Sequence, residues 1–394
     1  MTEKRPTANG DSSSPAQAGE IPFNRAGVEG QELDHIGRSV CIGQIAGDQA
    51  YSRKCQALLE EVLGAPKVLL TTSCTHALEL AALLLDIGPK HEVIVPSFTF
   101  VSTANAFVLR GARIRFADIR PDTLNIDENQ IERLVSPRTR AIVPVHYAGV
   151  GCEMDAIGAI ARKHCIPIVE DNAHGLFGKY KDRWLGSFGV LATQSFHATK
   201  NITCGEGGAL VVNDPALIDR AEVMREKGTN RSRFFRGQVD KYSWVDIGSS
   251  YVMSDVLAAF LYGQLEVWRQ IQEKRQRIWQ CYHTELRDWA MAHDVRCPIV
   301  PDGCDPAYHM YYLILPSLQI RQALIAFLKA RGILAVFHYL PLHLSPMGQN
   351  LGGRPGDCPV SESTSDRLLR LPFFTSLDAA SQGRVIDAIL SFKF

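Results

Sequence analysis

The sequence predicts an α/β protein in which a large unit on a mainly parallel sheet precedes a smaller α/β unit at the C-terminal end. Three observations carry this. Short β-branched runs alternate with helical patterns between residues 67 and 213, at the spacing of crossover connections that cover both faces of a parallel sheet. The chain has 394 residues, a length that favours two cores over one. Past a long amphipathic stretch at 265–290 the texture changes to shorter strand and helix patterns.

The elements follow in order. "KVLLT" (67–71) reads as a strand and leads into an Ala/Leu-rich helix at 76–86. "EVIVP" (92–96) precedes a helix at 103–111, and "RIRFADI" (113–119) precedes one at 129–135. "AIVPV" (141–145) is followed by "MDAIGAIARKHC" (154–165), and "IPIVED" (166–171) by a Gly/aromatic loop. "VLATQSF" (190–196) and "ALVVN" (209–213) close the series. Beyond the 265–290 helix, 308–316 and 333–338 read as strands around a helix at 321–332 with a glycine stop. The division expected is a disordered tail over residues 1–20, a large unit over 21–265, and a linking helix with a small C-terminal unit over 266–394.

Composition narrows the class. Basic and acidic residues balance at 42 each, so no global field attracts nucleic acid or an anionic membrane. Ten cysteines are dispersed without a Cys-x-x-Cys pair, which suits reduced, mostly buried thiols. The first twenty residues have no apolar core, and no apolar run is long enough to span a bilayer. The expectation is a cytoplasmic protein with no membrane or nucleic-acid partner.

Ligands of such sheets sit beyond the carboxyl ends of the strands, and three of those ends carry unusual chemistry. "TTSCTH" (71–76) is a strand end running into a helix start, where Ser73, Cys74 and Thr75 offer free N–H groups to an anion; capping alone would explain the serine. "VEDNAHG" (169–175) ends an apolar strand in Glu170 and Asp171, and a buried carboxylate there needs a cationic partner. "SFHATKN" (195–201) puts Lys200 a few residues past another strand, with Gly205, Gly207 and Gly208 behind it. Each signal is weak by itself.

One ligand satisfies all three. Pyridoxal 5'-phosphate has a phosphate for the helix start and Ser195, a ring nitrogen for Asp171, and an aldehyde that condenses with Lys200. "PSFTF" (96–100) supplies aromatics to cover its ring. Other cofactors fit poorly. The Gly149/Gly151 pattern has Met154 where a dinucleotide loop wants its third glycine. No metal-ligand spacing occurs, and isolated His338 and His343 read as ordinary histidines.

"SFHATKN" with "GEGG", "VEDNAHG", "PSFTFVSTANAF" and "VPVHYAG" resemble the DegT/DnrJ/EryC1/StrS sugar aminotransferases. The likeness implies the aspartate aminotransferase type of fold, fold type I of the pyridoxal-phosphate-dependent transferases. It implies Lys200 as the cofactor-bearing lysine, Asp171 as partner of the ring nitrogen, and Phe100 as the stacking aromatic. Ser195, with the backbone of Ser73, Cys74 and Thr75, resembles the phosphate cradle, and His174 the group beside the cofactor's oxygen and ring face. His338, Tyr339 and His343 in "FHYLPLH" are implied at the sugar or nucleotide edge.

The resemblance further implies a homodimer with sites at the interface, each completed by a loop of the partner. That loop usually carries an Asn and an Arg in a G-x-N-Y-R-M setting; here "GSSYVM" (248–253) has Ser250 and Val252 in those places. "REKGTNRSRFFRGQVDKY" and "KYSWVDIGSSYVMSD" resemble one branch, the transaminases that make dTDP-4-amino-4,6-dideoxygalactose for enterobacterial common antigen. The substrates implied are dTDP-4-dehydro-6-deoxy-glucose and L-glutamate. Two alternatives stay open, an aminotransferase for a different nucleotide-linked keto sugar and a non-catalytic, cofactor-binding regulatory protein.

Overall fold

The computed structural model describes residues 19–393; the tail expected over 1–20 lies outside them except for Gly19 and Glu20. The central sheet is two hydrogen-bonded sets. One runs in the order Lys67–Thr71, Gly208–Val212, Leu191–Ser195, Val169–Asp171, and the other Arg113–Ala117, Glu92–Pro96, Thr139–Ile142. Parallel bridges Ile142 to Ile168 and Val145 to Asp171 join them side by side. Helices Cys74–Leu84, Val101–Val108, Glu128–Leu134 and Met154–His164 lie in the crossovers.

The strands expected at 67–71 and 92–96 have those bounds, because runs of apolar, mostly β-branched residues buried on both faces leave no other element to choose. One expectation changes. Gly208–Val212 runs antiparallel to both neighbours. The dozen residues between Ser195 and Gly208 return as a tight loop carrying Lys200, and so short a return without a crossover helix reverses the strand. The expected 265–290 helix is Trp268–Ala292, set off at Val267, with φ −114° and ψ 20°, from a preceding helix Asp255–Glu266.

The C-terminal part has its own core. Strands Tyr312–Ile314, Leu368–Arg370 and Val336–Phe337 form an antiparallel sheet, backed by helices Leu318–Lys329 and Ala379–Leu390 and by Tyr282, Leu286 and Trp289 of the long helix. Ile21 joins this core: its N–H donates to Gly332 O at 2.7 Å and it pairs with Ile333. Asp118, buried in the N-terminal part, accepts from the Val360 and Ser361 amides at 2.8 Å each, at the start of helix Pro359–Arg367. A carboxylate at a helix N-terminus is favourable, so the two parts are joined by charge as well as by packing.

Candidate active site

Register decides which carboxylate faces the site. Glu170 and Asp171 are adjacent on one strand, so their side chains point to opposite faces. Glu170 turns inward and accepts from the Gly186, Phe188 and Gly189 amides at 2.8, 2.6 and 2.7 Å, and meets His146 Nε2 at 2.9 Å. It is a structural anchor. Asp171 lies beside Thr193 in the register and is buried, yet among the described residues its carboxylate accepts only from Thr103 Oγ1 at 2.7 Å and the Ala173 amide at 3.1 Å.

Beside it, serine caps the helix Cys74–Leu84: Ser73 Oγ accepts from the His76 amide at 3.1 Å. Among the described residues the Cys74 and Thr75 amides have no acceptor, so two N–H groups stay free at the helix start. Thr75 Oγ1 pairs with Ser102 Oγ at 2.7 Å. A Cβ on Gly208 would lie 2.3 Å from Ser73 C and 2.4 Å from Cys74 N, so glycine is what lets the strand approach the helix start. Ser195 stands opposite Gly208 in the register, at the mouth of the same recess.

Lys200 sits on the loop between those two strands. Burial pushes its ammonium down to about 8; Cys74 and Asp171 oppose the shift and Arg370 adds to it. Burial also pushes the Cys74 thiol up to about 12, with Asp171 adding to the rise and Thr193 and Lys200 opposing it. Cys74 is therefore a neutral thiol at pH 7, and Asp171 is the carboxyl group that acts on the lysine. Among the described residues Lys200 makes no ion pair within 4.0 Å, so its Nζ is not committed to a structural bridge.

His174 is buried, with Nδ1 unpartnered among the described residues, and its Nε2 is 3.5 Å from Tyr339 Oη. Burial holds it well below the usual imidazole range, with Lys200 and Arg370 pressing the same way. His338 Nδ1 meets Tyr147 Oη at 2.7 Å, and its ring stacks on Tyr339 at 3.5 Å between centroids. Tyr339 has φ of 32°, a strained left-handed backbone that carries its ring to the same place. Phe100, more than half exposed, lies 6.3 Å from Tyr339, whereas Phe98 is buried beneath.

One expected residue stands elsewhere. Both ring nitrogens of His343 are engaged, Nδ1 with Ser97 Oγ at 2.6 Å and Nε2 with Glu362 Oε1 at 3.0 Å, in a fully buried position; it braces the end of the Glu92–Pro96 strand. Ser250, expected on the loop that reaches the partner's cofactor, lines a cleft of about 620 Å³ with Arg53, Lys67, Arg225 and Lys227. Sequence reading missed Thr103, Tyr147, Thr193, His309 and Arg370. Thr103 lies inside the quoted "FVSTANAF" and Tyr147 inside "VPVHYAG", but neither type signals a site until neighbouring strands supply Asp171 and His338.

These residues suit a phosphorylated pyridine aldehyde. The free helix-start amides would hold its phosphate, the incompletely satisfied buried carboxylate of Asp171 its ring nitrogen, and the Lys200 amine would be placed for its aldehyde. His174 Nδ1 is an orphaned polar atom that such a group could satisfy.

Comparison with known proteins agrees with this donor set. Residues 33–390 match the model of the DegT/DnrJ/EryC1/StrS aminotransferase family. The chain belongs to that family. It is a pyridoxal 5'-phosphate-dependent aminotransferase of fold type I, the type implied by the sequence motifs. It is 35% identical over 335 residues, 83% of this chain and 85% of the other, to the spore coat polysaccharide biosynthesis protein SpsC of Bacillus subtilis strain 168. The aminotransferase TlmJ of Streptoalloteichus hindustanus shares the fold with a TM-score of 0.87 at 29% identity, covering 95% of this chain and 98% of TlmJ. Spr1654 of Streptococcus pneumoniae, solved in a PLP form, has a TM-score of 0.87 at 25% identity, covering 94% and 98%. Among the described residues no helix is long and apolar enough to cross a membrane.

Proposed function

We propose that this enzyme moves the amino group of L-glutamate to C4 of a nucleotide-linked 4-keto-6-deoxy sugar. The specific reaction proposed converts dTDP-4-dehydro-6-deoxy-D-glucose to dTDP-4-amino-4,6-dideoxy-D-galactose with release of 2-oxoglutarate. The observation carrying the chemistry is the convergence of Lys200, Asp171 and the Cys74 helix start at adjacent strand ends. The sugar rests on the branch motifs around 225–255 and "FHYLPLH".

Pyridoxal phosphate, when bound, supplies an aldehyde to take up the amino group and a conjugated ring to delocalise the electrons left when a C–H proton departs. The chain's residues do the rest. The Cys74 and Thr75 amides and Ser195 would hold the cofactor's phosphate, and Asp171 would favour a protonated ring nitrogen. Phe100 and His174 would cover its ring and restrict water. Lys200 Nζ accepts the proton from the donor's α-carbon and later delivers one to C4 of the sugar, whose face of delivery sets the configuration. With a pKa of about 8, about a quarter of the free amine is neutral at pH 7.5, against about one part in a thousand at the ordinary lysine value. Burial thus makes the amine a usable base.

The protein is proposed to act as a homodimer in the cytoplasm. Exposed Phe235 lines the cleft containing Ser250, and exposed Tyr242, Trp244, Val245 and Ile247 lie on the segment leading to Ser250; a second copy would cover them and bring Ser250 toward its own phosphate site. His338 and Tyr339 are proposed at the sugar edge, and residues 266–394 as a separate small domain. The test is a panel of dTDP- and UDP-linked 4-keto sugars with glutamate, with NMR of the product. Rapid amination of a different sugar, with dTDP-4-dehydro-6-deoxy-D-glucose left untouched, overturns the substrate; no amination of any sugar favours the regulatory reading.

A further inference from the structure

His309 has no part in the chemistry above, yet the structure holds it tightly. It lies on the C-terminal part of the chain, buried, with its ring 4.2 Å from that of His174 and 18° from parallel. Its Nδ1 is 2.8 Å from Asn201 Oδ1, and Asn201 is the residue next to Lys200. The amide's orientation follows from its other end: Asn201 Nδ2 donates to the Ala307 carbonyl, which can only accept, so Oδ1 must face the imidazole. His309 therefore carries its proton on Nδ1 and donates.

The backbone beneath the ring is equally constrained. Arg275 is buried, and its guanidinium donates to the carbonyls of Tyr308 at 3.0 Å and His309 at 2.7 Å. Burial pulls this guanidinium down to about 9, with Glu29 opposing. Tyr308 has φ of 50° and nearby Ala148 φ of 55°, and the Ala307 amide donates to Gly149 O at 2.9 Å. A buried cation pairing with two successive carbonyls and a non-glycine residue in the left-handed region are both costly, and such strain collects where geometry matters.

We propose that His309 is a positioning residue: its ring fixes the face of His174, and its hydrogen bond to Asn201 holds the Lys200 loop against the C-terminal part of the chain. Resting on the proposed role of Lys200, this makes the Ala307–His309 segment the element through which the C-terminal core sets the aim of the lysine. Two parallel imidazoles in contact are compatible with this only while neutral, and burial keeps both rings well below their usual range.

Two substitutions separate the ring from its hydrogen bond. His309→Phe keeps a ring against His174 and loses the N–H donor, and Asn201→Ala removes the acceptor without touching the stack. In the holoenzyme each is expected to lower kcat by roughly ten- to a hundredfold, the range that small misplacements of a reacting group cause, with the glutamate KM within about twofold. Each should also shift the visible absorption of the bound cofactor, a readout that a purely structural role leaves unmoved. The double variant should be no worse than the worse single one. Wild-type kcat and spectrum in both variants, or losses that multiply in the double variant, overturn the proposal. Borohydride reduction of the wild type separates the two levels. Label on a lysine other than Lys200 overturns both the role of Lys200 and this inference. Label on Lys200 with wild-type behaviour in both variants overturns the inference alone.

Discussion

Gly208→Ala is the smallest change that tests the phosphate cradle. The added Cβ would meet Ser73 C at 2.3 Å and Cys74 N at 2.4 Å, where ordinary contact begins at 3.4 Å, so the helix start and the strand must part by about an ångström. Overpacking of this kind costs about 1–3 kcal/mol of stability. The same displacement moves the free amides of Cys74 and Thr75 relative to Ser195, which faces Gly208 across the ladder. A hydrogen bond to a charged group contributes about 1.5–3 kcal/mol, so losing one weakens cofactor binding by about tenfold to a hundredfold. The assay is titration of the apoenzyme with pyridoxal phosphate, followed by absorbance, beside thermal unfolding. Gly383→Ala is the control: it lies in helix Ala379–Leu390 with open space where its Cβ would go, and should add about 0.5–1 kcal/mol of stability without changing affinity. Unchanged affinity in Gly208→Ala would refute the cradle.

Further outcomes follow from the same geometry. Lys200 titrates near 8 in the folded apoenzyme against 10.5 ordinarily, so between those values the unfolded chain binds more protons and native stability rises with pH. Lys200→Met should therefore stabilise the apoenzyme at pH 7 by up to about 3 kcal/mol, a difference that fades toward pH 10.5 in urea unfolding. Asp171→Asn should lower turnover by at least about a hundredfold while the far-UV circular dichroism stays unchanged. Glu170→Gln should cost about 3 kcal/mol of stability, measured by urea unfolding, because its amide would face one of the three backbone N–H groups with another donor; the KM for glutamate should not move.

The sequence made the strand ends legible because apolar runs stop abruptly at Asp171, Ser195 and Thr71, and Lys200 stood out for its neighbours. Residues whose importance comes from long-range packing did not stand out. His309 lies 135 residues beyond the His174 it stacks on, and nothing in "AYHMYY" marks it. His343, in the same "FHYLPLH" as His338, differs only in facing Ser97 and Glu362, a choice made by the turn at Tyr339. The antiparallel course of Gly208–Val212 was equally hidden, since β-branched runs look alike in either direction.

The central claim is that Lys200 carries the cofactor. The direct measurement is borohydride reduction of the purified holoenzyme, then peptide mapping by mass spectrometry. The prediction is loss of the visible band with a reduced pyridoxyl group on the peptide containing Lys200; a label on another lysine, or on none, would contradict it.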